Sequence, residues 1–586
     1  MAAGGWADAQ SPAFPLESLD RGVIDLPGST GNFISWRFLA TDDESATSFE
    51  VLRNGESLAS DCYATNYSDP TGKRTDKYQV VTISDGVRKD TTKAVAPWAN
   101  RYLRLTLQRP AKGENGGNYE PNDCSVGDVD GDGQYEIFVK WNPSNAKDNS
   151  QGGLNDNVFI DCYRLSGERL WRIDLGRNIR AGAHYTQYMV YDFDGDGRAE
   201  LMCKTGPGSL DGKGSYVNQA ATDPQIKAVP GTALYRNGDG RITGGQEWLT
   251  VFSGSTGEAL HTIFYNPNRD AGYSGEATGT FNWDDRSGKS DYASYGNRGE
   301  RFLAGVAHLD GPDSPASGIF CRGYYTYAFI WAVAFDGKQL HPKWLSSHRS
   351  KSSYTLTTYD ADSKATQKDF TGCRPTYTAQ SGEKTGGSGT MFGNGNHNMS
   401  IADVDGDGHD EIVWGSAALD HDGTLLYGTG FGHGDAIHMG DHNPDRPGLE
   451  VFQIHEDKGT RGTSTMLPRA RFCSRAAPQA STTAAALPDT SMPECAGRCC
   501  GVATRWLAAP SRARLCQTAS ARTISESTGT ATSRKNCSTA TRLTSGTAMA
   551  RRESSPSATS APAIPATARR TRHASRPTSW ATGARR

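Results

Sequence analysis

One acidic loop occurs three times in the sequence, and it decides the fold class. The first copy, Asp128-Val-Asp130-Gly-Asp132-Gly-Gln-Tyr-Glu136, is followed by the apolar run Ile137-Phe-Val139. The second copy runs from Asp192 to Glu200 and the third from Asp403 to Glu411. A short strand-like run follows each copy, and no helical stripe is visible there. The repeat therefore predicts an all-β protein in which similar loops lead into strands.

The spacing within the loop is suited to a hard cation. Acidic side chains at positions 1, 3 and 5 can converge on Ca²⁺, which takes roughly six to eight oxygens, and the glycine at position 6 permits the tight turn. The glutamate stands at position 9, not at position 12 as in an EF-hand. Such sites can serve folding alone, so the loops do not by themselves indicate catalysis. The predicted calcium ligands are Asp128, Asp130, Asp132, Glu136, Asp192, Asp194, Asp196, Glu200, Asp403, Asp405, Asp407 and Glu411.

Three further loops place a histidine within two residues of a glycine. They contain His184, His397 and His433, the last of these followed by Asp435. A glycine in such a loop lets the backbone approach a ligand closely. Two interpretations remain open for these histidines: contact with a metal or substrate, or a structural role in the fold.

Composition changes abruptly near residue 468. Residues 468–586 carry 19 Lys or Arg and four Asp or Glu, a net charge of +15, whereas residues 1–467 have a net charge of -18. The basic segment contains no tyrosine, and about two thirds of it is Ala, Arg, Thr and Ser. Too few large apolar residues remain to offset the entropy of ordering it. We therefore predict a disordered, low-complexity tail over 468–586.

The remaining sequence suggests the other domains and excludes some classes of protein. Alternating runs at Phe33–Leu39, Lys77–Ile83 and Tyr102–Leu107 predict a sandwich-like β domain over 19–110. A disordered N-terminus is expected over 1–18 and a repeated β domain over 111–467. No apolar run is long enough for a membrane span, no signal peptide is visible, and the overall net charge of -3 gives no reason to expect nucleic acid.

Several longer stretches resemble the rhamnogalacturonan lyases of polysaccharide lyase family 11. The resemblance extends from Leu19-Asp-Arg-Gly22 to Val451-Phe-Gln-Ile-His455. Its most specific parts are Lys140-Trp141-Asn142-Pro-Ser-Asn145 with the residues up to Gln151, and Trp171 to Gln187. Arg301-Phe-Leu303, Arg322-Gly-Tyr-Tyr-Thr326 and Gly395-Asn-His-Asn398 add to it.

The resemblance implies a fold and an activity. It implies an N-terminal β domain, an eight-bladed β-propeller that binds calcium, and β-elimination at galacturonate in the rhamnogalacturonan I backbone of pectin. It also implies that His397, His433 and Asp435 bind calcium and that Asn122 and Asn142 contact the sugar, although the family commonly has Asp at position 142. A monomeric, extracellular enzyme is expected; endo or exo action, the number of calcium ions and the disulfide pairing stay open.

The tail resembles a family C-terminus read in a shifted frame. Pro577 to Ala584 and Ser538 to Gly546 can each be obtained from family-like segments by moving the reading frame one nucleotide. This predicts one frameshift, an artefact of sequencing or a genuine lesion, between Asp457 and about Arg475. The propeller would then be incomplete, the catalytic residues would be lost with the missing part, and the chain as written would be inactive or unstable. The alternative is a non-catalytic, calcium-dependent carbohydrate-binding or adhesion propeller.

Overall fold

The computed structural model describes ten segments of the chain. They are residues 19–39, 41–269, 298–347, 353–371, 387–442, 448–456, 462–466, 471–475, 486–489 and 499–502. The segment 1–18 and most of 468–586, for which disorder is predicted, lie outside the described residues. Three short strands nevertheless fall within 468–586, at Arg471–Arg475, Ala486–Asp489 and Cys499–Val502.

The all-β prediction is confirmed. Among the described residues the helices are one 3-10 turn, Val217–Ala220, and one short α-helix, Pro224–Lys227, whose N-cap Asp223 accepts a hydrogen bond from the Gln225 N–H. Within the described part of the chain, no helix is long and apolar enough to cross a membrane.

The N-terminal region forms two antiparallel sheets. Strands β1, β2 and β5 make one sheet, and β4, β3, β6 and β7, in that order, make the other. Both sheets contribute to one core that includes Ile34, Phe49 and Tyr78. The strands are β1 (Ile24–Pro27), β2 (Asn32–Ser35), β3 (Thr47–Arg53), β4 (Glu56–Cys62), β5 (Asn66–Asp69), β6 (Tyr78–Ser84) and β7 (Val87–Thr91).

One predicted strand of this region is wrong. The segment Tyr102–Leu107 has no strand, although its apolar and polar residues alternate. Tyr102 and Leu103 are exposed, whereas Leu107 packs against the core that includes Trp141, yet the segment joins none of the sheets in the described part of the chain. Alternation alone cannot make a strand, because a strand also needs a partner for its backbone groups.

In the described part of the chain, five four-stranded antiparallel sheets follow, and in each one consecutive strands are neighbours. The first sheet has β8 (Tyr119–Gly127), β9 (Glu136–Pro143), β10 (Phe159–Tyr163) and β11 (Arg169–Asp174). The second has β12 (Tyr188–Tyr191), β13 (Glu200–Thr205), β14 (Trp248–Ser253) and β15 (Ala259–Phe264). The third has β16 (Phe302–Ala307), β17 (Ser317–Arg322), β18 (Phe329–Phe335) and β19 (Leu340–Ser347), and the hairpin β20 (Ser353–Tyr359) and β21 (Ala365–Thr371) comes next.

The remaining strands complete the fourth and fifth sheets and one two-stranded sheet. The fourth has β22 (Ser400–Ala402), β23 (Glu411–Val413), β24 (Ala417–Leu419) and β25 (Leu425–Gly428). The fifth has β26 (Gly434–Gly440), β27 (Glu450–His455), β28 (Gly462–Met466) and β29 (Arg471–Arg475). Strands β30 (Ala486–Asp489) and β31 (Cys499–Val502) form the two-stranded sheet.

Successive sheets pack side by side through their first strands. Strand β8 contacts β12, β12 contacts β16, β16 contacts β22, and β22 contacts β26. The largest apolar core lies among the second, third and fourth sheets and includes Tyr265, Phe320 and Trp331. Because the first strands are neighbours, the loops that lead into them meet at one end of the sheets.

The described body cysteines carry no disulfide. Cys62, Cys124, Cys162, Cys203 and Cys321 are free, and the last three are buried. Burial raises the pKa of the Cys203 thiol, so this side chain acts as a small apolar group in the core.

Candidate active site and metal centres

The three acidic loops share one hydrogen-bonding scheme. In the first loop the Asp128 carboxylate accepts hydrogen bonds from the Gly131 and Gly133 N–H groups at 2.8 and 2.9 Å. The glycines at loop positions 4 and 6 have positive φ in all three copies, which favours glycine there. The position-9 glutamate accepts from the N–H at position 2 in the pairs Glu136–Val129, Glu200–Phe193 and Glu411–Val404.

Carboxylates from positions 1, 3 and 9 converge in each loop, whereas the spacing predicts convergence of positions 1, 3 and 5. Ligand atoms from positions 1, 3 and 9 lie within 4.8 Å of one another in all three copies. The position-5 residues Asp132 and Asp196 are outside these groups, and Asp407 belongs to a separate group with Glu411. Burial and neighbouring aspartates raise the pKa of Glu200 to about 9 and that of Glu411 to about 8. A cation would offset this clustered negative charge, so the donor sets fit a metal ion.

A second group, the histidine cluster, comprises His184, Tyr324, Tyr325, His397, His433 and Asp435. His184 precedes β12, His397 precedes β22, His433 precedes β26, and Asp435 lies in β26. The two tyrosines lie between β17 and β18. The side-by-side packing of the first strands therefore brings together residues that are far apart in sequence.

Aromatic contacts and hydrogen bonds fix this cluster. The rings of His397 and His433 are 5.0 Å apart between centroids, and Tyr325 lies 4.1 Å from His433. The Tyr325 hydroxyl is hydrogen-bonded to His397 Nε2 at 2.9 Å. His433 Nδ1 lies 2.9 Å from the Tyr324 carbonyl oxygen, which can only accept, so His433 Nδ1 carries the proton. A carbonyl partner of this kind commonly orients a metal-binding histidine.

Ligand atoms of His397, His433 and Asp435 lie within 4.8 Å of one another. Burial, followed by Arg301 and Arg298, lowers the pKa of His397 to about 3. Burial, followed by Glu456, raises the pKa of Asp435 to about 6. Because a neutral imidazole is the form that binds metals, these three residues fit a divalent cation.

Two arginines border the histidine cluster. The Arg298 guanidinium lies 3.4 Å from the centroid of the Tyr325 ring, and Arg301 lies 5.8 Å from it. Arg301 also forms a 3.0 Å ion pair with Asp148, whose oxygen is 3.6 Å from His184 Nε2. The positive charge suits an acidic ligand, and the guanidinium plane can bind a carboxylate through two hydrogen bonds.

A buried ion-pair network supports the segment that carries these arginines. Glu247 and Glu300 are nearly inaccessible and are paired with Lys204, Arg269 and Arg322. Arg322 Nε also donates to the Gly299 carbonyl at 2.9 Å. The network therefore holds the backbone between Arg298 and Arg301 to the core beneath the cluster.

Comparison with known proteins identifies the family. The model of the rhamnogalacturonan lyase family 11 C-terminal domain matches residues 102–372 and 356–473, and the model of the rhamnogalacturonan I lyase beta-sheet domain matches residues 15–98. The chain belongs to rhamnogalacturonan lyase family 11. The resemblance found in the sequence is thereby confirmed.

Two curated relatives of this family 11 chain come from Bacillus subtilis (strain 168). Rhamnogalacturonan endolyase YesW is 44% identical over 460 residues, which are 77% of this chain and 63% of YesW. Rhamnogalacturonan exolyase YesX is 43% identical over 448 residues, 75% of this chain and 63% of YesX. The family 11 chain thus matches less than two thirds of either relative. The crystal structure of YesW matches with a TM-score of 0.67 at 41% identity, covering 82% of this chain and 73% of YesW.

The two residues predicted to contact the sugar lie on the first sheet of this family 11 chain. Asn122 lies in β8, beside a register shift between Pro121 and Cys124, and Asn142 lies in β9 opposite Glu120. Asn122 is exposed and Asn142 is half-buried. Within the described part of the chain, neither side chain is hydrogen-bonded to the histidine cluster, so their sugar contact stays a prediction.

Sequence reasoning missed part of the site in this family 11 chain. It singled out His184, His397 and His433 because each lies in a loop that contains glycine, but it assigned no role to Tyr324, Tyr325 or the bordering arginines. Arg301 and both tyrosines stood within family-like stretches. These stretches drew attention to the positions but did not indicate what the side chains do.

Proposed function

We propose that this chain is the body of a rhamnogalacturonan lyase that cleaves the rhamnose–galacturonate bond of rhamnogalacturonan I by β-elimination. The observation that carries the proposal is 44% identity over 460 residues to an endolyase, with similar identity to an exolyase. In this reaction a base removes the proton alpha to the galacturonate carboxylate. The bond to O4 then breaks, so that rhamnose leaves and an unsaturated uronate remains.

The histidine cluster is the proposed place for the galacturonate carboxylate. His397, His433 and Asp435 would hold a calcium ion, which when bound offsets negative charge on the substrate carboxylate. Arg298 and Arg301 add positive charge beside it. We assign no catalytic base among residues 1–467, and we expect it in the part of the family fold that residues 468–586 fail to supply.

The body is proposed to be five blades of a calcium-bearing β-propeller. Five four-stranded sheets with neighbouring first strands support this assignment. The proposed calcium ligands of the three loops are the acidic side chains at positions 1, 3, 5 and 9, with the position-5 residue Asp407 turned toward a second group. These ions would support folding, because each loop enters a sheet.

For the tail, we propose a shift of the reading frame upstream of about Arg475. The family model matches up to residue 473, and the change to a basic, tyrosine-free composition falls in the same region. The nucleotide sequence around codon 460 tests this directly. An alternate frame without family-like sequence would contradict it.

Product analysis separates a lyase from a binding protein. The chain with its frame restored is incubated with rhamnogalacturonan I, and the fragments are analysed by mass spectrometry. A lyase gives ends lighter by one water than hydrolysis would give, whereas a carbohydrate-binding propeller retains the polymer and gives no fragments. Because the polymer is too large to enter a cell, we propose that the protein is extracellular. We also propose that it is a monomer. Rhamnogalacturonan I of pectin is its proposed partner.

A further inference from the structure

Among the described residues, the third acidic loop has a histidine beside it that the other two loops lack. The turn 420–424 between β24 and β25 returns to this loop and brings His421 beside it. Ligand atoms of Asp407, Glu411, Asp420 and His421 lie within 4.8 Å of one another. The sequence motif gave no indication of this group, because Asp420 and His421 follow the loop by about ten residues.

The buried carboxylate of Glu411 points to a ligand at this place. Glu411 is 0% exposed. Its Oε2 accepts a hydrogen bond from the Val404 N–H at 2.7 Å, and its Oε1 is buried without a hydrogen-bond partner. A buried oxygen of this kind is costly unless something binds it. Glu411 also belongs to the group with Asp403 and Asp405, so it stands between two sets of ligands.

Imidazole nitrogen distinguishes this group from an all-oxygen site. His421 Nδ1 lies 2.9 Å from Asp420 Oδ1 and 3.7 Å from Asp407 Oδ2. The Asp420 contact lacks hydrogen-bond alignment, since Nδ1 is buried without a hydrogen-bond partner. The ring of His409 stacks on His421, with centroids 4.4 Å apart. His409 Nδ1 donates to the Leu309 carbonyl at 2.8 Å, which leaves Nε2 as the acceptor of that ring.

The turn that carries His421 is held in place by the third sheet. Trp344 Nε1 donates to the His421 carbonyl at 2.9 Å, and the Ser346 hydroxyl donates to the Gly423 carbonyl. Gly423 has a φ of +84°, and a Cβ there would lie 2.7 Å from the Trp344 ring. The position of His421 is therefore set by the fold before any ligand arrives.

We propose that Asp407, Glu411, Asp420 and His421 form a second metal site that takes a divalent transition ion such as Zn²⁺. Mixed imidazole and carboxylate donors suit Zn²⁺, whereas Ca²⁺ is bound by oxygen. Glu411 joins the site to the calcium loop, so the third loop holds a pair of ions where the other two hold one. The proposal rests on these side chains and not on lyase activity.

Metal content tests the proposal. The full chain is saturated with Ca²⁺, dialysed against a small excess of Zn²⁺, and analysed for both metals. We expect His421→Ala to lose one equivalent of Zn²⁺ relative to the parent chain and to keep all of its Ca²⁺. The matched control is His341→Ala, because His341 is also half-exposed and paired with an aspartate, 2.8 Å from Asp336, and belongs to none of the described ligand groups. The control keeps the parent's Zn²⁺.

One further variant and one spectroscopic measurement keep the outcome decisive. His397→Ala removes any Zn²⁺ that the histidine cluster accepts and leaves the equivalent assigned to His421 in place. Co²⁺ added to the Ca²⁺-saturated parent shows visible absorption bands of nitrogen coordination that weaken in His421→Ala. Equal Zn²⁺ content in His421→Ala and His341→Ala overturns the proposal. Loss of Ca²⁺ in place of Zn²⁺ from His421→Ala also overturns it, because His421 would then belong to the calcium site.

Discussion

At the scale of single residues, burial decides which ionisable groups can change charge. His261 is 3% exposed, and its ring is hydrogen-bonded on both sides. The Leu340 N–H donates to Nδ1 at 2.9 Å, and Nε2 lies 3.1 Å from the Thr222 hydroxyl, which itself donates to the Tyr359 carbonyl. Burial, followed by the charge of His341, lowers the pKa of His261 from 6.5 to about 4, while Asp336 opposes the shift. The folded chain therefore keeps this imidazole neutral.

This residue predicts a dependence of stability on pH. Between pH 6.5 and about 4 the unfolded chain binds a proton that folded His261 does not, so the free energy of unfolding falls as the pH drops through that window. The slope is at most about 1.4 kcal/mol per pH unit. In denaturant titrations we expect a smaller slope for His261→Gln than for the parent. Equal slopes for His261→Gln and the parent would show that His261 is protonated in the folded state.

At the scale of elements, we predict that calcium bound at each acidic loop adds separately to the stability of the chain. Glu200 accepts the Phe193 N–H at 3.0 Å, and a glutamine oxygen can accept the same bond. Glu200→Gln therefore leaves the chain's stability in EDTA nearly unchanged but removes a calcium ligand. With Ca²⁺ at a hundred times its dissociation constant, each bound ion adds about 2.7 kcal/mol to the parent, and Glu200→Gln should lose most of the gain from its own loop and keep the gain from the other sites. Thermal unfolding with and without Ca²⁺ measures the difference.

An exposed acid provides the control for this measurement. Glu258 is exposed and lies in the same sheet region, so Glu258→Gln should keep the full calcium gain. An equal calcium gain in Glu200→Gln and the parent would contradict the assignment of Glu200 as a ligand.

The junction of the first two sheets predicts a second effect at this scale. A Cβ on Gly254 would lie 1.9 Å from the Ala199 carbonyl oxygen, and the Gly254 carbonyl accepts the Trp171 Nε1–H at 2.7 Å. Gly254→Ala forces two backbone segments apart, so we expect a loss of about 1–3 kcal/mol in the free energy of unfolding. Gly238→Ala is the control, because a Cβ at Gly238 meets nothing within 4 Å. Equal stability of the two variants would refute the close approach.

The contrast between elements shows what the sequence could predict. The acidic loops were recognisable as candidate metal sites because their carboxylates lie within nine consecutive residues, from Asp128 to Glu136 in the first copy. The histidine cluster was predictable only as separate candidates, since His184 and His397 meet through the packing of distant strands. The prediction of a strand at Tyr102–Leu107 was wrong because strand pairing also depends on distant residues. Local alternation does not identify the partner strand.

At the scale of the whole molecule, an acidic body and a basic tail join in sequence near residue 468. The body has the family's two matched domains, and the tail has a composition that offers little apolar surface to bury. A propeller closes by joining its last blade to its first, and an open one leaves strand edges exposed. The chain as written is therefore expected to be inactive or poorly stable.

The most direct test measures the absorbance of unsaturated uronate released from rhamnogalacturonan I. Two purified proteins are compared in Ca²⁺: the chain as written, and the chain whose reading frame is shifted by one nucleotide between codons 457 and 475. We predict steady product formation by the frame-restored chain, its loss in EDTA or in His397→Ala, and none from the chain as written. A folded, frame-restored chain without product, or equal rates from both chains, would contradict the account.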